Sequence, residues 1–257
     1  MFRETIRVGD REVTFETGEI AKQASGAALV TAGDTVLLVT VSAGNRPTSL
    51  GYMPLTTEFR LRYSAAGRIP GSYDRREARP SEFEVLTSRL VDRSIRPFFD
   101  DAWCYDTQVM IQPLSYDPTT DPGVLGIAAA SAALSASDVP WAGPVAGVRI
   151  ARTGGQLQVM PTPAEQKASD LDLVVSCSGD GIVMVEGGGQ EIAEDVILEA
   201  FALAQRHAAA MLRVMAELSA RAPAKRDAPA VEVDGDLAKR ARELGRGPLT
   251  AALAAGK

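Results

Sequence analysis

The segment that most constrains this chain is DPGVLGIAAASAALSAS, Asp121 to Ser137. It reads as a helix of small residues, ended by Asp138-Val139-Pro140. Faces made of Gly and Ala let a neighbouring backbone come close, so this helix asks for a sheet to lie against. The chain supplies strands on both sides of it. REVTFETG alternates, with Val13 and Phe15 on one face, and GAALVTAGDTVLLVTVSA is two β-rich runs about Gly33-Asp34, a hairpin signal. Leu29, Val36, Leu38 and their neighbours are the expected core residues there. Thr107 to Ser115 reads as a further strand. After the small-residue helix come PVAGVRIAR, GQLQVMP, LDLVVSCS and GIVMVEGG, four short strands with turns at Gly154-Gly155 and Gly179-Asp180-Gly181.

Other helices bracket this pattern. Ser81-Glu82-Phe83-Glu84 is a capping box that opens a helix whose apolar stripe is Phe83, Leu86, Leu90 and Val91, with Pro97 closing the region. A long, Ala-rich amphipathic helix is expected from Ile192 to about Ala220. RAPAKRDAPAVEVDGD is a linker by composition, and a short last helix is expected around Leu237 to Leu244. Hairpins, a helix, a strand, a helix, more hairpins and a covering helix make an α+β pattern rather than a regular βαβα winding.

The sequence also excludes several functions. Cys104 and Cys177 are the only cysteines and have no metal-ligand spacing, so both are expected to be buried thiols. His207, the only histidine, lies in the Ala-rich helix, which argues against a nucleophile–histidine pair or a histidine-rich metal site. No apolar run is long enough to span a bilayer and no secretory leader is visible, so the expectation is a cytoplasmic protein without a membrane partner. The formal net charge of −6 argues against indiscriminate coating of nucleic acid.

Against that acidic background, Tyr63 to Phe99 holds seven arginines (Arg68, Arg75, Arg76, Arg79, Arg89, Arg93 and Arg96) and no lysine. Guanidinium groups match phosphate oxygens two at a time, so an all-arginine set favours planar, bidentate donors. Arg68 to Arg79 fall in a Gly/Pro-punctuated loop, Gly67 to Pro80. Arg89, Arg93 and Arg96 share a helix face, and loop and helix are expected to present two arginine rows to one groove. Tyr73 adds a ring that can stack on a base. The plainer reading pairs these arginines with Asp74, Glu77, Glu82, Glu84 and Asp92. The residues themselves reach a phosphate-backbone binder, for RNA or nucleotide, and no further.

AAGRIPGSYDRREARPSEFEVLTSRLVDRSIRPFF resembles the first core domain of the bacterial polynucleotide phosphorylase family, and four further runs match it in the same order: FETGEIAKQASGAALVTAGDTVLLVTVSA, MPLTTEFRLRYSAAGRIPGS, GIAAASAALSASDVPWAGPVAGVRI and DLDLVVSCSGDGIVMVEGG. The resemblance covers about residues 2 to 220. It implies an RNase PH-like core of the ribosomal protein S5 domain 2-like β/α fold at 1–222, and the start of an all-helical domain at 223–257. It further implies a homotrimeric 3′→5′ exoribonuclease that uses inorganic phosphate and Mg²⁺ to release nucleoside diphosphates from single-stranded RNA. In that family the active site lies in a second RNase PH-like core, while the first builds the ring and guides RNA.

On these positions the family's RNA-contacting loop, F-F-R-R-E-G-R, reads Tyr73-Asp74-Arg75-Arg76-Glu77-Ala78-Arg79. Tyr73, Arg75, Arg76 and Arg79 carry over as RNA-binding residues, Arg93 and Arg96 as further contacts on the same path, and Asp74 departs from the pattern. The active core's D-x-D-F-K run is Asp170-Leu171-Asp172-Leu173-Val174 here. Val174 stands where the lysine is expected, and Gln166 where an earlier aspartate is expected. The phosphate-holding serine segment is Asp121-Pro122-Gly123, with an aspartate that repels phosphate and a proline that lacks an amide donor. No catalytic residue, metal ligand or cofactor is therefore expected in this chain, and Asp170 and Asp172 are read as structural. Two alternatives stay open: a self-sufficient RNase PH-type nuclease using Asp170 and Asp172, and a scaffold whose arginines form interface salt bridges without RNA.

Overall fold

The computed structural model describes residues 1–49, 52–71, 77, 79–228 and 235–256. Among these residues, ten strands form two sheets, with five α-helices between and around them. The first sheet contains β1 (Phe2–Val8), β2 (Arg11–Thr17), β3 (Gly26–Ala32), β4 (Thr35–Pro47), β5 (Leu55–Phe59) and β6 (Tyr105–Ser115), in the order β1-β2-β3-β4-β6-β5. Its neighbours are antiparallel except β5 and β6. The second sheet is fully antiparallel, in the order β10-β9-β7-β8, from β7 (Ala146–Thr153), β8 (Gln156–Val159), β9 (Leu171–Ser178) and β10 (Gly181–Gly189). The helices are α1 (Glu82–Ile95), α2 (Pro122–Ser135), α3 (Pro163–Lys167), α4 (Glu194–Arg221) and α5 (Gly235–Ala254). The α+β expectation holds.

Helix α2, the small-residue segment, is buried over its entire length. It lies between the sheets, against β3 and β4 on one side and β7 on the other. The approach is as close as its composition suggests: a Cβ on Gly26 of β3 would overlap the Ala133 carbonyl, and one on Gly147 of β7 would press on Ile127. Helix α1 packs beside α2 and over β5, and α4 lies along β7 and reaches α2 and β1.

The β3–β4 hairpin forms about Gly33, whose φ of 58° suits a residue without Cβ. Its core face, however, is Ala28, Val30, Ala32, Leu37, Val39 and Val41, and the expected core residues Leu29, Val36 and Leu38 are half-buried on the outer face. Both alternate sets are apolar, so a period of two did not decide which points inward.

In α1 the capping box forms as expected. Leu90 and Val91 are buried, but Phe83 is 47% and Leu86 52% exposed. The inward face is instead Glu84, Thr87, Leu90, Val91, Ser94 and Ile95, because hydroxyls and one carboxylate bond across the interface and let polar residues occupy it. Two elements are additional to the sequence reading: β5, and the single turn α3, which has its own capping box from Thr162 to Glu165.

The last helix is longer than expected. It starts at Gly235 and runs through Pro248 to Ala254, since a proline removes only one ladder bond where the flanking Leu and Ala residues favour helix. The segment read as a linker is pinned at its start. Lys225 Nζ donates to the carbonyls of Leu134, Ser135 and Ser137 at the C-terminal end of α2 (3.2, 3.3 and 2.6 Å), where a cation opposes the helix dipole. Arg226 lies 5.0 Å over the Trp103 ring and 5.6 Å over that of Tyr105. Of the two thiols expected to be buried, Cys177 is, whereas Cys104 is half-exposed.

Candidate nucleic-acid interface and the adjoining cavity

The arginine segment wraps the N-terminal end of α1. Ser81 Oγ accepts from the Glu84 amide, and Glu84 returns the bond: its Oε2 accepts from the Ser81 amide at 2.6 Å while Oε1 accepts from the Leu61 amide at 2.9 Å. One carboxylate thus caps α1 and ties it to the chain leaving β5. Glu77 ties the loop to the same place, since Arg62 donates to its carbonyl oxygen at 2.7 Å and lies 3.7 Å from its carboxylate. A groove of about 350 Å³ results, lined by Arg60, Arg62, Tyr63, Glu77, Arg79 and Glu84.

Of the residues singled out for RNA, Arg79 lines this groove and is exposed. Tyr73, Arg75 and Arg76 lie outside the described residues, as does Asp74. Arg93 and Arg96 are exposed at the far end of α1, roughly 20 Å from Ser81 at 1.5 Å rise per residue. Arg79, the loop arginine in the groove, and Arg93 and Arg96 thus lie toward opposite ends of α1. Arg93 is ion-paired with Glu186 of β10. Arg96 makes a two-pronged bond to Asp92, both legs at 2.7 Å. The plain ion-pair reading thus fits Arg96 with Asp92, whereas Arg93 pairs with an acid outside the segment; Glu77, one of the acids named for it, pairs with Arg62 instead. Arg68, Arg79 and Arg89 are exposed and carry no ion pair among the described residues.

Beside α1 lies a second cavity of about 380 Å³, at the N-terminus of α2. Its walls include Phe83, Leu86, Asp121, Arg149, Gln166, Asp172 and Val174. The fold therefore brings Asp121 together with Gln166, Asp172 and Val174, which lie far along the chain from it. Asp170 is not among them; it faces Arg152, 3.4 Å away.

The residue that organises this cavity is Arg149, which sequence reasoning missed. Its Nε and Nη2 donate to the two oxygens of Asp172 at 2.7 and 2.5 Å, and its Nη1 donates to Asp121 Oδ2 at 2.5 Å. The other Asp121 oxygen accepts from the Gly123 amide at 2.8 Å and so caps α2. Burial alone would pull the Arg149 pKa down, but the bonds to Asp172 and the charge and bond of Asp121 outweigh it and hold it above the usual arginine value. All three guanidinium nitrogens are spent on the protein's own carboxylates. The corner that could seat an anion, a helix N-terminus beside an arginine, is filled by Asp121. A signal existed: a lone arginine in the apolar run AGVRIA needs a carboxylate partner once that strand is central.

Comparison with known proteins agrees with this architecture. Residues 9–140 match the family model "3′ exoribonuclease family, domain 1", and residues 143–207 match "3′ exoribonuclease family, domain 2". A polyribonucleotide nucleotidyltransferase of Anaeromyxobacter dehalogenans is 50% identical over 79% of this chain and 28% of its own length. That of Citrifermentans bemidjiense is 44% identical over 92% of this chain and 34% of its own length. The chain thus spans about a third of these curated relatives. Among solved structures, an Archaeoglobus fulgidus exosome with RNA bound to the active site superposes with a TM-score of 0.66 at 21% identity, covering 82% of this chain and 89% of that one. An archaeal exosome core gives 0.63 at 18% identity, covering 82% and 87%. These likenesses carry the fold.

Proposed function

This chain belongs to the 3′ exoribonuclease family, with an RNase PH-like fold, and from that membership we propose that it is the first, RNA-guiding core of a polyribonucleotide nucleotidyltransferase. In this reading residues 1–222 form the core and 223–257 open the helical segment that follows. The complete enzyme, a cytoplasmic homotrimer, shortens single-stranded RNA from its 3′ end with inorganic phosphate, releasing nucleoside diphosphates. Mg²⁺ and phosphate act in a second core, not in this chain. Arg75, Arg76 and Arg79 take the RNA backbone first while Tyr73 stacks on a base, and Arg93 and Arg96 lie further along the path. Among the described residues no helix is long and apolar enough to cross a membrane.

The observation that carries the division of labour is the state of Arg149. Phosphorolysis needs a cation free to meet charge that develops on the transferred phosphoryl group, and carboxylates free for a metal. Here the cavity's central cation is bonded at all three nitrogens to Asp121 and Asp172, and Val174 offers no second charge. The same carboxylates are not free for Mg²⁺, and no cluster of three or more metal-ligating side chains occurs among the described residues.

The test is phosphorolysis by the purified chain on a 5′-labelled oligoadenylate with Mg²⁺ and phosphate. The expected result is RNA binding without shortening and without ADP. Phosphate-dependent shortening that disappears in Asp172→Ala would make the chain a self-sufficient nuclease.

A further inference from the structure

We propose that Phe83 and Leu86, on the outer face of α1, form a stacking seat for a base of single-stranded RNA; this rests on the RNA-guiding reading above and adds to it a residue pair that the loop does not contain. Both side chains are large, apolar and about half exposed, although they open a helix whose inward face is well filled. They stand three residues apart, and Arg89 and Arg93 continue the row at steps of three and four, so all four lie on one side of α1. An apolar platform followed by arginines is the arrangement by which proteins hold single strands: rings take bases and guanidiniums take the backbone.

Three observations favour RNA as the occupant. The first is preorganisation. The Phe83 ring meets the buried Phe59 ring edge to face, with centroids 5.9 Å apart and planes at 88°, so its orientation is fixed while nearly half of its surface stays open. The second is shape, because the adjoining cavity of about 380 Å³ continues the apolar wall with Leu90 and Val174, a volume in the range of small-ligand pockets.

The third is charge. Arg149 offsets one charge of the Asp121–Asp172 pair and Arg93 that of Glu186, which leaves a single negative charge, at the N-terminus of α2. Of the flanking exposed arginines, Arg79 precedes the platform and Arg89 follows it, each without an ion pair among the described residues; the exposed acid on this stretch is Glu82. A strand leaving the Arg79 groove along α1 would meet Phe83 first.

The experiment compares wild type, Phe83→Ala and Phe83→Tyr by fluorescence anisotropy with a labelled oligoadenylate and with an abasic oligonucleotide of the same length. Circular dichroism melts and sedimentation run alongside. The expected result is a loss of roughly 5- to 100-fold in oligoadenylate affinity for Phe83→Ala. Phe83→Tyr should retain affinity, the abasic oligonucleotide should show little difference between variants, and the salt slope should stay unchanged because no phosphate contact is removed.

Equal oligoadenylate affinity in Phe83→Ala would overturn the proposal. So would an equal loss on the abasic strand, or a changed oligomeric mass, which would assign the face to packing or to a second copy. If wild type bound neither oligonucleotide, the RNA-guiding reading would fall and this one with it.

Discussion

Replacing Arg149 by methionine, which keeps the length of the side chain and removes the charge, should destabilise the fold by about 2–3 kcal/mol. Breaking a fully buried ion pair costs roughly 3–5 kcal/mol, because the abandoned charge stays buried, whereas an exposed pair is worth roughly 0–1 kcal/mol. The groups here lie between these limits: Arg149 keeps 23% of its side-chain surface exposed, Asp121 12% and Asp172 31%. Methionine leaves two carboxylates facing each other with no cation between them, and Asp121 retains only its bond to Gly123. For a domain of this size the loss corresponds to roughly 5–10 °C in Tm.

The assay is urea denaturation of wild type, Arg149→Met, Asp121→Asn and the double variant. Asp121→Asn removes one of the stranded charges and keeps a capping oxygen, so it should relieve part of the penalty of Arg149→Met. A coupling of at least about 1 kcal/mol is expected for side chains in direct contact. An Arg149→Met variant as stable as wild type, or purely additive single changes, would refute the argument that this cavity's cation is held by its own carboxylates.

Two further outcomes follow from the geometry. Burial pushes the Cys177 thiol up to about 11 from its usual 9.0; the folded state therefore keeps a proton that the unfolded chain releases. The stability this contributes is complete below pH 9 and is lost as pH rises toward 11, by about 2–3 kcal/mol in all. The difference between wild type and Cys177→Ala in urea melts at pH 8 and pH 11 should show that loss, and identical pH dependence would contradict it. Replacing Arg75 and Arg76 together by alanine should weaken oligoadenylate binding and reduce the slope of log K against log salt by about 1.4, at about 0.7 per phosphate for single strands; an unchanged slope would remove these two arginines from the RNA path.

Much of the fold was legible because its signals are local. The capping box at Ser81–Glu84, the turn at Gly33 and the small-residue run of α2 each depend on a few neighbouring residues, and each forms as read. What stayed hidden depends on partners distant in sequence. The β3–β4 hairpin offers two apolar faces, and only α2 decides that Val30 and Leu37 rather than Leu29 and Leu38 point inward. Phe83 and Leu86 looked like core because apolar residues at helical spacing usually are, yet Glu84, Thr87 and Ser94 take the inward positions. Glu84 can do so because the Leu61 amide bonds it, and Ser94 because it meets Ser176 at 2.7 Å across the interface. Arg149 drew no attention as a single charge in a strand; its meaning comes from Asp121, 28 positions away, and Asp172, 23 away.

The distribution of arginines is compatible with the proposed RNA path on an acidic chain. Most of those placed by the structure are already used: Arg11 staples β2 to the loop before α2 through Thr119 and Thr120, Arg149 closes the cavity, Arg213 bridges Glu4 and Glu217, and Arg226 docks the segment after α4 on Trp103. Arginines spent in this way contribute to the fold and add little to the field outside it. Several others carry no ion pair among the described residues, and three of these, Arg68, Arg79 and Arg89, lie on or just before the N-terminal half of α1, the helix that carries the exposed Phe83 ring. A net charge of −6 therefore coexists with a local positive track, since a strand at the surface responds to charges within about one Debye length, roughly 8–10 Å at ordinary ionic strength. The cavity beside the track is the converse case. Its central cation is held by the protein's own carboxylates, Asp121 and Asp172, so in the proposed reading it offers no free cation to a strand passing along α1.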